Sequence, residues 1–342
     1  MFPTPVERVE GLATHPPGRE VWVKRDDLSS PVYGGNKVRT LEVLFGQALR
    51  AGATRIHSTG AFGSNHATAT VLHAPRVGLE PGVILFPQPR SASALENFLV
   101  MLAARPVVRV VPHWSFLPFG MAATRLSDRA SNVRSSIMVP GGATEDGALG
   151  YVSAALELAE QVESGLLPAP SSVVVGVGST CTSAGLLLGM RVAAELGIGW
   201  RRPPRLVSVR VTPWPVTAKS RVVSLARRAA AHFARVTGEP RWSRLGRLGE
   251  HLEVDGRWLG RGYGLSTDTG RDAIERWREA AGFELDTTYS AKAVAAVLGR
   301  RSDGPLLYWS TKSTAPLPEV SPEDIAWAPP RAQRWVRRHR AL

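Results

Sequence analysis

The stretch Ser172-Val-Val-Val-Gly-Val-Gly178-Ser-Thr-Cys-Thr182-Ser-Ala-Gly185-Leu-Leu-Leu-Gly-Met190 is the most apolar in the chain, and its reading decides the fold. Its length and hydropathy invite comparison with a membrane span. Gly176, Gly178, Ser179, Thr180, Thr182 and Ser183 interrupt it, however, and break it into three parts. Ser172–Val177 reads as a buried strand, Gly178–Thr182 as a loop, and Ser183–Leu196 as a helix. Backbone N–H groups and hydroxyls at the start of such a helix form a cradle for phosphate. An N-capped strand-to-helix turn with no ligand has the same appearance. The dinucleotide pattern G-x-G-x-x-G is only partly met by Gly176, Gly178 and Cys181, and no acidic residue is placed for a ribose beyond the loop.

The same alternation extends outward in both directions. Thr54–Ser58, Gly82–Phe86, Val107–Val111, Ser136–Val139, Leu206–Val211 and Pro305–Trp309 have the β-branched, apolar character of strands. Between them Val38–Ala51, Ala92–Ala104, Gly147–Glu163 and Thr267–Ala281 carry apolar residues at helical spacing. The expected fold class is therefore α/β, with parallel-rich twisted sheets flanked by helices. In such sheets ligands sit at the carboxyl ends of strands, which directs attention to four loops: Gly34–Lys37, Gly60–His66, Pro140–Gly147 and Gly178–Gly185.

Composition excludes several classes. A chain of 342 residues with 44% hydrophobic and 21% charged residues is an ordinary globular protein with room for two domains. Cys181 is the sole cysteine, so there is no intramolecular disulfide framework and no multi-cysteine metal site. His66 has no histidine or carboxylate at metal-ligand spacing, and no metal is expected. Met1–Glu20 lacks the apolar core of a signal peptide, so a cytoplasmic protein without membrane attachment is expected. The net charge of +13 comes from 37 arginines and only five lysines. The densest runs, Arg221–Arg247 and Arg331–Arg340, match no nucleic-acid-binding signature; attraction of anionic small molecules is the expected use of the charge.

Lys37 follows Gly34-Gly35-Asn36 and opens an amphipathic helix. The macrodipole at a helix N-terminus disfavours a protonated amine, which suits a lysine that must be neutral to form an imine. Taken alone, the segment equally describes a glycine turn followed by an exposed lysine. Ser64-Asn65 likewise reads as an ordinary N-cap pair.

Together these segments resemble the ACC deaminase/D-cysteine desulfhydrase family, fold-type II enzymes related to tryptophan synthase β and dependent on pyridoxal phosphate (PLP). The resemblance is carried by Val23-Lys24-Arg25-Asp26-Asp27-Leu28 with Gly34-Gly35-Asn36-Lys37-Val38-Arg39-Thr40-Leu41-Glu42, by Ser64-Asn65-His66-Ala67, and by Pro140-Gly141-Gly142-Ala143-Thr144 with Gly147–Tyr151. It continues through Gly178-Ser179 and Thr182–Leu186, Tyr263–Thr267, Asp286–Lys292 and Trp309-Ser310-Thr311. These blocks stand in the family's order from Val23 to Ser313.

The resemblance implies that Lys37 carries PLP as a Schiff base and moves protons at the substrate α-carbon. It implies that Asn65 meets the cofactor's phenolic oxygen and Ser64 the substrate. Gly178, Ser179, Thr180, Cys181 and Thr182 are implied at the phosphate, Ser290 and Thr311 at the cofactor (Thr311 facing the pyridine nitrogen), and Tyr263 and Tyr289 as active-site tyrosines. ACC deaminases carry glutamate and leucine where this chain has Ser290 and Thr311, so desulfhydrase-like β-elimination from a small amino acid, giving a 2-oxo acid and ammonia, is the expected reaction. β-Replacement, racemisation and catalytically silent PLP binding are the alternatives.

Thr180, Cys181, Ala291, Lys312 and Ser313 depart from glycines usual in the family. Cys181, beside a phosphate, is expected to have a lowered thiol pKa but to act as a space-filler. A smaller domain is expected over residues 38–160. Residues 1–37 with 161–342 are expected to form a larger, PLP-binding domain, with a basic, poorly packed extension or oligomer contact from about 316. The resemblance also implies a homodimer.

Overall fold

The computed structural model describes residues 2–12, 17–89, 91–301 and 304–340; parts of the N-terminal segment and the last two residues of the basic tail lie outside it. In chain order the first strands and helices are β1 (Val6–Arg8), β2 (Val21–Arg25), α1 (Asn36–Arg50), β3 (Arg55–Ala61) and α2 (Asn65–His73). Next come β4 (Glu80–Phe86), α3 (Ala92–Ala103), β5 (Val107–Val110), α4 (Leu117–Ala130), β6 (Ser135–Ile137) and α5 (Glu145–Glu163). Then follow β7 (Ser172–Val177), α6 (Cys181–Leu196), β8 (Arg205–Arg210), α7 (Lys219–Thr237) and β9 (Leu252–Asp255). The last are α8 (Asp268–Ala281), α9 (Ser290–Leu298), β10 (Leu306–Ser310) and α10 (Pro330–Arg340).

Two compact units divide the chain. The larger, Met1–Thr40 with Ala143–Thr314, holds a sheet in the order β1-β2-β10-β7-β8-β9. All its strand pairs are parallel except β1–β2. Alternation along β7 fills both faces. Val173 and Val175 pack with α5, α6 and α7, while Val174 packs with Ala273 and Trp277 of α8 and Val294 of α9. The strand order turns between β7 and β10. By the switch-point rule, the crevice of this sheet therefore lies where the loops after β7 and β10 diverge.

The smaller unit, Leu41–Gly142 with Ala315–Leu342, has a parallel sheet in the order β5-β4-β3-β6. Val83 and Leu85 face α2, α3 and α10; Ile84 faces Leu117 of α4. Its switch point lies between β3 and β6, at the loops that begin with Phe62 and Met138.

Two boundaries differ from the sequence expectation. The smaller unit ends at Gly142 and not at 160, because α5 buries Tyr151, Ala154, Ala155, Leu158 and Ala159 in the core of the larger sheet. The C-terminal segment is no loose extension of the larger unit. Ile325, Ala328, Ala332 and Val336 join Phe62 and Phe98 in the core of the smaller one.

Candidate active site

The larger unit assembles its loops around a buried ionic hub. Asp26, directly after β2, has no exposed surface. Its carboxylate accepts from Tyr151 Oη at 2.6 Å, Trp309 Nε1 at 2.8 Å, Thr4 Oγ1 at 2.9 Å and Arg39 Nη2 at 2.8 Å. Arg39 lies two residues beyond Lys37 and Trp309 two before Thr311, so one carboxylate anchors both segments. Backbone hydrogen bonds complete the junction: Gly35 N–H donates to Asp26 O at 2.8 Å, and Asn36 N–H to Thr311 O at 3.0 Å. Gly35 has φ +92°, and a β-carbon there would stand 2.5 Å from Thr311 O, so only glycine fits.

Lys37 is the second residue of α1 and is half-buried. Burial pushes its amine below its ordinary range, while the nearby Cys181 sulfur opposes the shift. Its Nζ stands 3.5 Å from Ser179 Oγ, and Asn36 Nδ2 donates to Thr182 Oγ1 at 2.9 Å, so the lysine segment and the loop after β7 are brought together. At the start of α6, Thr180 O accepts the N–H of Ala184, leaving the N–H groups of Cys181, Thr182 and Ser183 in the helix's open first turn. Thr180 holds φ +65°, a left-handed conformation where the family has glycine.

Cys181 belongs to an apolar cluster with Ala148, Val152 and Leu188. Burial pushes its thiol up, which outweighs the pull of Lys37 and corrects the expected lowering. The space-filling reading fits that position.

Tyr263 and Tyr289 meet edge to face, with hydroxyls 3.0 Å apart, and the Tyr289 ring lies against Gly178. Burial raises both phenol pKa values, which keeps the pair protonated. Asp286 explains the spacing of the Asp286–Lys292 block. Its carboxylate accepts the N–H groups of Thr288, Tyr289 and Ser290 and the Ser290 hydroxyl at 2.7 Å, which sets the start of α9. The Ser290 hydroxyl, expected at the cofactor, is thus committed to Asp286. Lys292, fully buried, donates to the carbonyls of Leu259 and Gly262, clamping the loop that carries Tyr263.

Two of the departures from glycine make contacts of their own. Ser313 Oγ accepts Gly34 N–H at 2.9 Å, and Lys312 Nζ lies 3.3 Å from Tyr33 Oη and 5.0 Å from that ring's centre. Thr311 is buried at the strand end between these contacts and the lysine loop.

In the smaller unit, Ser64 caps α2, its Oγ accepting Ala67 N–H at 3.3 Å. Asn65 Oδ1 accepts Asn97 Nδ2 at 2.7 Å. The sequence reading did not single out Asn97, Asp286 or Tyr33. The single signal available was the position of Asp286 four residues before Ser290, which is capping geometry.

Among the described residues no His/Cys/Asp/Glu group is arranged to hold a metal ion, and no helix is long and apolar enough to cross a membrane. The larger unit's residues do fit a flat, phosphorylated aldehyde. A desolvated amine, a glycine backbone that comes close to the strand end, and a hydroxyl-lined helix N-terminus lie on one edge of one sheet.

Comparison with known proteins gives the family. Residues 1–306 match the family model described as pyridoxal-phosphate dependent enzyme. Nocardicin C-9' epimerase of Nocardia uniformis subsp. tsuyamanensis is 33% identical over 93% of this chain and 92% of its own length. D-cysteine desulfhydrase of Salmonella paratyphi A is 32% identical over 90% of this chain and 91% of its own. The crystal structure of an ACC deaminase homologue superposes with a TM-score of 0.73 at 27% identity, covering 92% of this chain and 90% of that one. The chain therefore belongs to the pyridoxal-phosphate-dependent enzymes of fold-type II, in the ACC deaminase/D-cysteine desulfhydrase family.

Proposed function

We propose that the protein is a PLP-dependent lyase that eliminates a β-substituent from a small amino acid and releases a 2-oxo acid and ammonia, a reading supported by its likeness to enzymes named D-cysteine desulfhydrase. The observation that carries this reading is the half-buried, desolvated Lys37 amine beside Ser179 at the open first turn of α6. PLP supplies an electron sink for the bonds at the substrate's α-carbon when bound. Lys37 then takes the α-proton, a task suited to an amine whose pKa burial has lowered. Ser179 and Thr182, with the backbone of Gly178, Thr180 and Cys181, would hold the PLP phosphate, and Thr311 would offer a hydroxyl to its pyridine nitrogen. By the family resemblance, Asn65 would serve the phenolic oxygen, and Ser64 the substrate carboxylate or the leaving side chain. The protonated Tyr263–Tyr289 pair gives a proton to the departing β-substituent.

A second reading, epimerisation, is favoured by the 33% identity to an enzyme named as an epimerase. It needs the same Lys37 proton removal, followed by return of the proton on the opposite face.

The test is a visible absorbance spectrum with added PLP, beside Lys37→Ala, followed by a panel of D- and L-amino acids with β-leaving groups. The lyase reading predicts a band lost in the variant, and 2-oxo acid with stoichiometric ammonia. Loss of optical rotation without ammonia selects epimerisation; product only with an added nucleophile selects β-replacement. A PLP band without turnover of any amino acid leaves a silent binding protein. A cytoplasmic homodimer that binds no nucleic acid completes the proposal; sedimentation and a DNA shift assay check it.

A further inference from the structure

The arginines of residues 221–247 enter none of the contacts described above, yet two of them meet a third in a cleft of the larger unit. The cleft has a volume of about 170 Å³. It is lined by Arg191 and Glu195 from the last turns of α6, by the short turn Pro240–Arg244 and by the two residues after it. Trp242 anchors that turn, since it is 4% exposed and packs with Leu188 and Val192 of α6 and with Ala230 and Ala234 of α7. The Arg241 guanidinium lies over the Trp242 ring, 4.2 Å from its centre, which restrains the long side chain.

Three guanidinium groups here face a single carboxylate. Glu195 engages one arm of Arg191, Nη2, while the Arg191 Nε–H is buried with no acceptor among the described residues. The ion pair of Arg241 is an exposed one, with Glu239 at 3.4 Å, and Arg244 has no partner among the described residues. The surroundings are positive as well. Burial first, and then the Arg191 and Arg205 charges, push the His251 imidazole below its ordinary value against the pull of Glu250.

We propose that this cleft is a binding site for a diphosphate group, held by Arg191, Arg241 and Arg244. A guanidinium fork meets phosphate oxygens two at a time, and a diphosphate has enough of them to engage all three arginines. The volume of about 170 Å³ lies below the roughly 300–1,000 Å³ of sites that enclose drug-sized molecules. The ligand is therefore a free diphosphate or the phosphate end of a nucleotide whose base stays outside, because the buried Trp242 ring offers a base no stacking face. Glu195 competes with the anion for Arg191, so its carboxylate limits the affinity.

The experiment is a calorimetric titration of the PLP-loaded protein with inorganic pyrophosphate at constant ionic strength, with the visible PLP band recorded alongside. Loading keeps the cofactor's own phosphate cradle filled. ADP and sulfate are titrated in parallel. One saturable site per chain is expected, with the PLP band unchanged. Arg241→Gln and Arg244→Gln should each weaken it about tenfold, the scale of one charge-assisted hydrogen bond, and Glu195→Gln should tighten it. Both arginines are exposed, so these variants are expected to fold, which thermal midpoints check.

ADP bound more tightly than pyrophosphate identifies a nucleotide as the source of the diphosphate; equal or weaker binding identifies the free anion. Absence of saturable binding at millimolar pyrophosphate overturns the proposal. So does binding that Arg244→Gln leaves unchanged, or that sulfate reproduces at equal ionic strength. Loss of the PLP band during the titration, with no effect of the arginine variants, places the anion in the cofactor's cradle and overturns it too.

Discussion

Arg39 grips Asp26 with two arms, Nε reaching both carboxylate oxygens at 3.1 and 3.0 Å and Nη2 reaching Oδ1 at 2.8 Å, with both side chains withdrawn from solvent. Removing one partner leaves the other charge buried without compensation. Asp26→Asn is expected to cost about 3–5 kcal/mol in urea unfolding. Joint replacement, Asp26→Leu with Arg39→Met, should cost less than the sum of the single changes. Equal additive losses would show that the pair is not coupled.

Acid should destabilise the protein in two stages. Burial pushes the His57 imidazole below its ordinary value of 6.5, against the opposing pull of Asp128 at 2.8 Å. Below that value the unfolded chain takes up the proton more readily, so stability falls as pH drops through this window. Burial raises the Asp26 and Glu157 carboxyls, but Arg39, joined by the Tyr151 and Trp309 hydrogen bonds at Asp26 and by Lys24 at Glu157, outweighs it and holds both below the usual carboxylate range. Their contribution is complete above the unfolded values and is lost as pH falls through the folded ones. Urea midpoints measured from pH 8 to pH 3 check both stages, and His57→Gln should flatten only the first.

Thr180→Gly should stabilise the cofactor-free protein by about 1 kcal/mol, because a β-branched residue at φ +65° bears a steric cost that glycine avoids. The unfolded state of the glycine variant gains entropy, which offsets part of the benefit. A lower thermal midpoint would mean that the Thr180 side chain makes a compensating contact.

Lys292→Met leaves the carbonyls of Leu259 and Gly262 without their buried donor, at about 1–3 kcal/mol each. The loop bearing Tyr263 then loses its clamp. The expected result is a lower thermal midpoint and a reduced turnover rate, with the absorbance of lysine-bound PLP retained. Loss of the band instead would place Lys292 in cofactor retention.

Much of the fold was legible because buried parallel strands write themselves as short β-branched runs. All seven expected strands are present, with ends shifted by a few residues. β2 escaped because Trp22, Lys24 and Arg25 break its apolar run, and the buried Lys24 finds its partners in Thr4 O and, far along the chain, in Glu157 and Gln161. α10 was obscured by its arginines, although Ala332 and Val336 stand four apart on its buried face. Within the site, Lys37 and the loop after β7 were readable, since each couples glycines to a helix start. Asn97 was not, for its meaning lies in a contact with Asn65 across 32 positions of sequence.

The chain leaves the smaller unit at Gly142 and comes back to it only at Ala315. On the ribosome, the sheet of that unit is therefore translated well before the helix that finishes its core, and residues 143–314 must be made in between. Until α10 arrives, Phe62 and Phe98 lack the Trp335 edge, and an apolar surface stays open on a nascent polypeptide. The order of synthesis thus leaves the core beneath the loop carrying Ser64 and Asn65 incomplete until the last residues of the unit are made.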